Sequence, residues 1–218
     1  MFGFPPQDRT DITVVLDRSG SMASIAEKTV EGFAAFLEKQ KHVPGDCRLT
    51  LVQFDTEYEL VYYDKPIRKV PALRLVPRGG TALLDAMGRT ILNKAESLRH
   101  QVETRLPRRI MMVIITDGQE NSSREFTQEQ VFTLTRRYTQ ECDWQFVYLG
   151  ANQDAIQVAA QMGIDAAAAM TYQAGRRGTA NAWEAAASLV GRKRCAAPQA
   201  MRGCGFTFQE RSSASERD

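Results

Sequence analysis

Four apolar runs separated by stretches of helical periodicity constrain this chain more than any other feature. The runs are Ile12–Leu16, Leu49–Phe54, Ile110–Ile115 and Trp144–Leu149. Runs of this length with little alternation are strands covered on both faces. Helical stripes fall between them. Ala26, Val30, Phe33 and Leu37 line one face of a segment at about 22–40, and Leu84, Met87, Ile91, Ala95 and Leu98 line one at 82–99. Val131, Leu134 and Tyr138 do so over 127–141, and Ala155, Val158, Ala159 and Met162 over 154–163. Strand alternating with helix predicts an α/β fold: a doubly wound, mostly parallel central sheet with helices on both faces.

One connection departs from the alternation. Only Asp55-Thr56 separates Leu49–Phe54 from Tyr58–Tyr63, so those strands form a hairpin, and the second is an antiparallel edge strand. Residues 64–80, with Pro66, Pro71 and Pro77, read as a loop ending in Gly79-Gly80. The alanine-rich segment Ala166–Met170 favours helix by propensity, but its place in the order favours a short last strand. Thr179 is expected to cap a final helix reaching about 190. The domain is expected to span 11–191, with 1–10 an N-terminal arm. Residues 192–218 lose apolar periodicity and read as a mobile basic tail, although Phe206 and Phe208 point towards packing.

Composition narrows the function. A net charge of +2 over 218 residues gives no case for nucleic acid. No run approaches the ~18 apolar residues of a membrane span. The N-terminal residues lack the basic-then-apolar profile of a signal peptide, so a cytoplasmic location is expected. Cys47, Cys142, Cys195 and Cys204 form no Cys-x-x-Cys pair, and His42 and His100 lie near none of them, which argues against zinc. Cys47 and Cys142 are expected as buried free thiols. Cys195 and Cys204 are expected to stay reduced.

Directly after the first apolar run stands Asp17-Arg18-Ser19-Gly20-Ser21. A carboxylate and two hydroxyls therefore leave the end of a buried strand two residues apart. Thr81 follows Gly79-Gly80, and Asp117 follows Ile110–Thr116. These are hard oxygen donors, suited to Mg²⁺ or a similar ion. The glycines would let their loop approach closely. Ser21 also suits the N-cap of a helix beginning near Met22.

In identity and order, Asp17, Ser19, Ser21, Thr81 and Asp117 resemble the metal-ion-dependent adhesion site of the von Willebrand factor A (VWA) family, in a bacterial- or phage-type single-domain form. The resemblance implies a VWA fold with one Mg²⁺ (or Mn²⁺ or Ca²⁺) at those five positions. Ser19 and Ser21 would bind directly and Asp17 through waters, while Thr81 and Asp117 alternate. It implies a partner protein that supplies an Asp or Glu carboxylate, and no membrane or nucleic-acid partner. Glu120 and Asn121, beside the metal, either tune ligand choice or simply solvate their loop, with solvation the expectation, and Arg18 is expected either to pair with a carboxylate or to face the partner. Trp183 is expected in the core, and Arg176-Arg177 and Arg192-Lys193-Arg194 on solvated faces.

Two other functions fit parts of the sequence. A Mg²⁺-dependent phosphohydrolase also places an Asp after its first strand, but needs a second Asp where Ser19 stands. No phosphate loop of the Gly-x-x-x-x-Gly-Lys kind is present. A regulatory subunit of an ATPase or kinase system differs from a binding module only in its partner. No catalytic activity is expected.

Overall fold

The computed structural model describes residues 9–101, 107, 109–151 and 153–216. In chain order the elements are β1 (Arg9–Asp17), α1 (Ala26–His42), β2 (Asp46–Phe54), β3 (Tyr58–Pro66), α2 (Leu83–Arg99) and β4 (Arg109–Thr116). There follow α3 (Gln128–Cys142), β5 (Gln145–Ala151), α4 (Ala155–Gln161), β6 (Ala169–Tyr172), α5 (Arg176–Cys195) and α6 (Phe208–Ala214). The sheet order is β3-β2-β1-β4-β5-β6, with only β3 antiparallel to its neighbour. The expected α/β sheet with one antiparallel edge strand is thus present, and the alanine segment does end in a strand.

Every residue of β1 is buried, because β2 and β4 pair with it and helices cover both faces. On one face α1 packs on α5. Trp183 lies edge-on to Phe33 and Phe36, with ring centroids 5.7 and 6.0 Å away. Removing such a side chain costs about 3–5 kcal/mol. On the other face Met87 and Ile91 of α2, Val131 of α3 and Ala159 of α4 meet Val15, Ile114 and Tyr148 of the sheet.

Chain order reverses at β1 and β4. The carboxyl ends of these two strands form the switch point where open α/β sheets place ligands. The opposite end of β1 carries a buried ion pair. Lys94 Nζ donates to Asp11 Oδ2 over 2.8 Å, with both side chains 2% exposed or less.

Several expectations change. The first long helix starts at Ala26 rather than Met22, after a short 3-10 turn over Gly20–Ser24. Ser21 does not cap it; its hydroxyl is used elsewhere. Thr179 lies inside α5, which begins at Arg176, and it is buried. Cys142 is exposed, while Cys47 is buried and its thiol is pushed up to about 11 by burial. All four cysteines are free. The N-terminal arm gives residues 9 and 10 to β1, and its other residues lie outside those described.

The expected mobile tail is packed. Lys193 and Arg194 belong to α5 and are buried, so they form no solvated face. Arg194 donates to Gln40 O over 2.7 Å. Met201, Phe206 and Ala214 join the core, and Arg192 makes a two-bond ion pair with Glu210 of α6. Phe206 outweighs the basic residues around it, whereas Phe208 is 87% exposed.

Candidate functional site

Asp17 and Thr116 end adjacent strands, and the two side chains meet. Thr116 Oγ1 donates to Asp17 Oδ2 over 2.6 Å, and Ser19 N donates to Asp17 Oδ1 over 2.6 Å. Asp17 has no exposed surface. Burial raises its carboxyl to about 6, against the hydrogen bonds from Thr116 and Ser19. A buried anion with no cation paired to it favours protonation.

The 3-10 turn then aims two hydroxyls at the end of β4. Ser19 and Ser21 Oγ atoms lie 3.0 Å apart, and Ser21 Oγ donates to Asp117 Oδ1 over 2.6 Å. Asp117 is also raised, by burial first, with the Ser21 bond opposing.

Thr81 arrives on a separate loop held at three places. Its N–H donates to Asn121 Oδ1 over 2.9 Å, and its carbonyl accepts from Asn121 N over 3.0 Å. Gly20 N donates to Gly79 O over 3.1 Å. Gly80 permits the approach: a Cβ there would stand 2.3 Å from Ser122 Oγ. The close approach of Gly80 is therefore to the Asn121–Ser122 loop, whereas Gly79 faces Asp55 and Thr56.

Gly118 reveals the common space. A Cβ at this position would lie 2.9 Å from Thr81 Oγ1, 3.4 Å from Ser21 Oγ and 3.8 Å from Ser19 Oγ. Hydroxyls from two loops thus face one small volume beside Asp117. All five predicted residues, Asp17, Ser19, Ser21, Thr81 and Asp117, come together at the switch point. Their donors are hydroxyl and carboxylate oxygens, and among the described residues no group of three or more His, Cys, Asp or Glu is arranged to hold a metal ion.

Residues outside the five hold this arrangement. Asp55, 1% exposed, accepts from Arg18 Nε at 2.9 Å, Arg78 Nε at 2.8 Å and Glu57 N at 2.7 Å. Its carbonyl accepts from Ala82 N, and Arg78 N donates to Arg18 O. Asp55 thereby ties the serine turn to the threonine loop. Arg18 is buried and also pairs with Glu59, so it does not project towards a partner. Glu120, expected to be mere loop solvation, accepts from Leu84 N, Ser122 N and Ser123 N. Asp85 accepts from the backbone of Arg124, Glu125 and Phe126. Gln153 Nε2 donates to Gly118 O over 3.3 Å, next to Asp117. Asp55 follows a strand just as Asp17 does, and that position was the available signal. Asn121 gave no sign of its role, because its partners are the backbone groups of Thr81 on another loop, while Glu120 binds Ser122 N and Ser123 N of its own loop besides Leu84 N of α2.

No protein-family profile matches the chain, and no curated protein sequence does. Solved structures do. The vWF domain of the type V pili tip protein Mfa5 from Porphyromonas gingivalis aligns over 88% of this chain and 98% of its own, at 10% identity and a TM-score of 0.61. Proximal thread matrix protein 1 from the mussel byssus aligns over 85% of this chain and 46% of its own, at 15% identity and a TM-score of 0.56. The ArnB paralog VWA2 from Sulfolobus acidocaldarius aligns over 84% and 44%, at 13% and 0.52. This chain spans less than half of the last two proteins. At these identities the likeness is one of fold, and the fold is that of von Willebrand factor A domains. No helix among the described residues is long and apolar enough to cross a membrane.

Proposed function

We propose that this chain is a non-enzymatic, metal-dependent protein-binding module. It would hold one Mg²⁺, or Mn²⁺ or Ca²⁺, through Ser19, Ser21, Thr81 and Asp117, with Asp17 in support. The observation that carries this reading is the gap over Gly118, faced by three hydroxyls and flanked by Asp117. Hard oxygens around a small space suit a hard divalent ion, and the raised carboxyls of Asp17 and Asp117 favour a cation beside them. When bound, the ion supplies a Lewis-acidic point that accepts a carboxylate from a partner's Asp or Glu.

The chain's own residues do the rest. Asp17 stays in the interior and holds the serine turn through Ser19 N. Thr116 fixes Asp17. Asn121 and Asp55 hold the threonine loop at the distance the gap requires. Neutral hydroxyls leave more positive charge on the ion than carboxylates would, which favours an anionic ligand from outside. Asp17 is poorly placed as a nucleophile: it has no exposed surface and both oxygens accept hydrogen bonds. Phosphatase and nucleotidase activity should stay at background.

A pull-down with purified protein tests the binding role. A partner retained in Mg²⁺ should be released by chelator and lost with Asp117→Ala. Retention in both conditions would remove the metal from the account, and turnover abolished by Asp17→Asn would favour the phosphohydrolase.

A further inference from the structure

A cavity of about 240 Å³ opens at the end of the sheet away from the five oxygen-bearing residues. It lies between the last turns of α3, the start of β5 and the segment after α5. Lys193 faces it and is 2% exposed. Its Nζ donates to Gln145 Oε1 over 2.9 Å and to Met201 O over 2.7 Å. An ammonium carries three donors, so one is left over. Both acceptors are neutral, and no carboxylate among the described residues is in ion-pair contact with Lys193. Asp165 favours the Lys193 charge only from beyond ion-pair distance, and a buried ammonium with no paired counter-charge is costly.

The remaining charges of the wall are Arg136, Arg202 and Asp165. Arg136 makes no ion pair among the described residues. Arg202 pairs with the exposed Asp143 outside the wall, and it covers the carbonyl end of α3, which would otherwise repel an anion, by donating to Thr139 O over 2.7 Å. Asp165 accepts from Ala167 N over 2.8 Å. Within the wall three cations thus stand against one carboxylate that already has a backbone partner, and with Asp143 counted the group still carries one excess positive charge. We propose that this cavity binds a compact oxyanion, a phosphate or a carboxylate, with Lys193 at its base and Arg136 and Arg202 at its rim. A water takes about 30 Å³, so the space admits such an ion with its apolar remainder or a few waters against Trp144 and Ile164. Burial lowers the Lys193 pKa, and an anion would restore its charge.

Calorimetric titration of inorganic phosphate, and separately of acetate, into the full chain freed of divalent metal tests this at constant ionic strength. One saturable site is expected, and the tighter ligand decides between phosphate and carboxylate. Arg136→Gln breaks no observed hydrogen bond and should weaken binding by about tenfold. Lys193→Met should abolish it. Should Lys193→Met fail to fold, Arg202→Gln supplies the second reading and should also weaken binding. Asp117→Ala should leave it intact, which separates this site from the metal site. No saturable binding of either anion, or binding that the Arg136 and Lys193 variants leave unchanged, overturns the proposal.

Discussion

The two ends of the central strands treat charge in opposite ways. At the amino end, Asp11 and Lys94 neutralise each other in the interior, and Lys94 also lies 5.1 Å from the Tyr63 ring centroid. Arg9 and Arg48 both reach Asp64 there. At the carboxyl end, among the described residues, Asp17 and Asp117 have only hydroxyl and backbone partners, and the hydroxyls face a gap. Charge completed inside the protein serves the fold. Charge left without a counter-ion leaves free energy for a ligand to release.

The largest effect should fall on the amino end. Lys94→Met leaves the buried Asp11 with only the longer 3.8 Å contact to Arg9, which costs about 3 kcal/mol or more. Chemical denaturation should record that loss, while metal affinity of the folded fraction stays unchanged. A large loss of metal affinity at preserved stability would erase the contrast. Next comes the C-terminal segment. Truncation after Ala196 removes Met201, Phe206 and Ala214 from the core. It should cost about 3 kcal/mol or more, a fall in Tm of about 10 °C for a chain of this size. An unchanged Tm would return these residues to the status of a tail.

Asp55→Asn sharpens the comparison, because Asp55 is a buried, ion-paired group at the carboxyl end. It should destabilise by about 1–3 kcal/mol and also weaken Mg²⁺ binding about tenfold or more. Calorimetry beside denaturation separates the two effects, and stability loss alone would make Asp55 purely structural. The smallest effect should come from Asp85. Burial alone would raise its carboxyl, but three backbone N–H groups hold it below its ordinary value. Its stabilisation is therefore present above the unfolded pKa and lost as pH falls through the folded one. Asp85→Asn should cost about 1 kcal/mol at neutral pH and flatten the acid side of the stability curve.

The sheet and the five site residues were legible because each rests on local pattern. Buried parallel strands read as continuous apolar runs, and Asp-x-Ser-x-Ser sits at the end of one. What escaped was set by distant partners. Lys193 and Arg194 look like a solvated basic run until Gln40, Gln145 and Met201 surround them. Ser21 reads as a helix cap until Asp117, 96 residues away, takes its hydroxyl. Asn121 reads as loop polarity until it proves to hold both backbone groups of Thr81.

The proposed divalent-metal site over Gly118 is open to direct measurement. Isothermal titration of Mg²⁺ and of Mn²⁺ into metal-free wild type, Gly118→Ala and Asp117→Ala tests it directly. The account predicts one site per chain in the wild type, because the oxygens converge on a single gap. Gly118→Ala should abolish binding with Tm little changed, since its methyl would occupy the gap 2.9 Å from Thr81 Oγ1. Asp117→Ala should weaken it strongly. Undiminished binding in Gly118→Ala, or no binding in the wild type, would contradict the account.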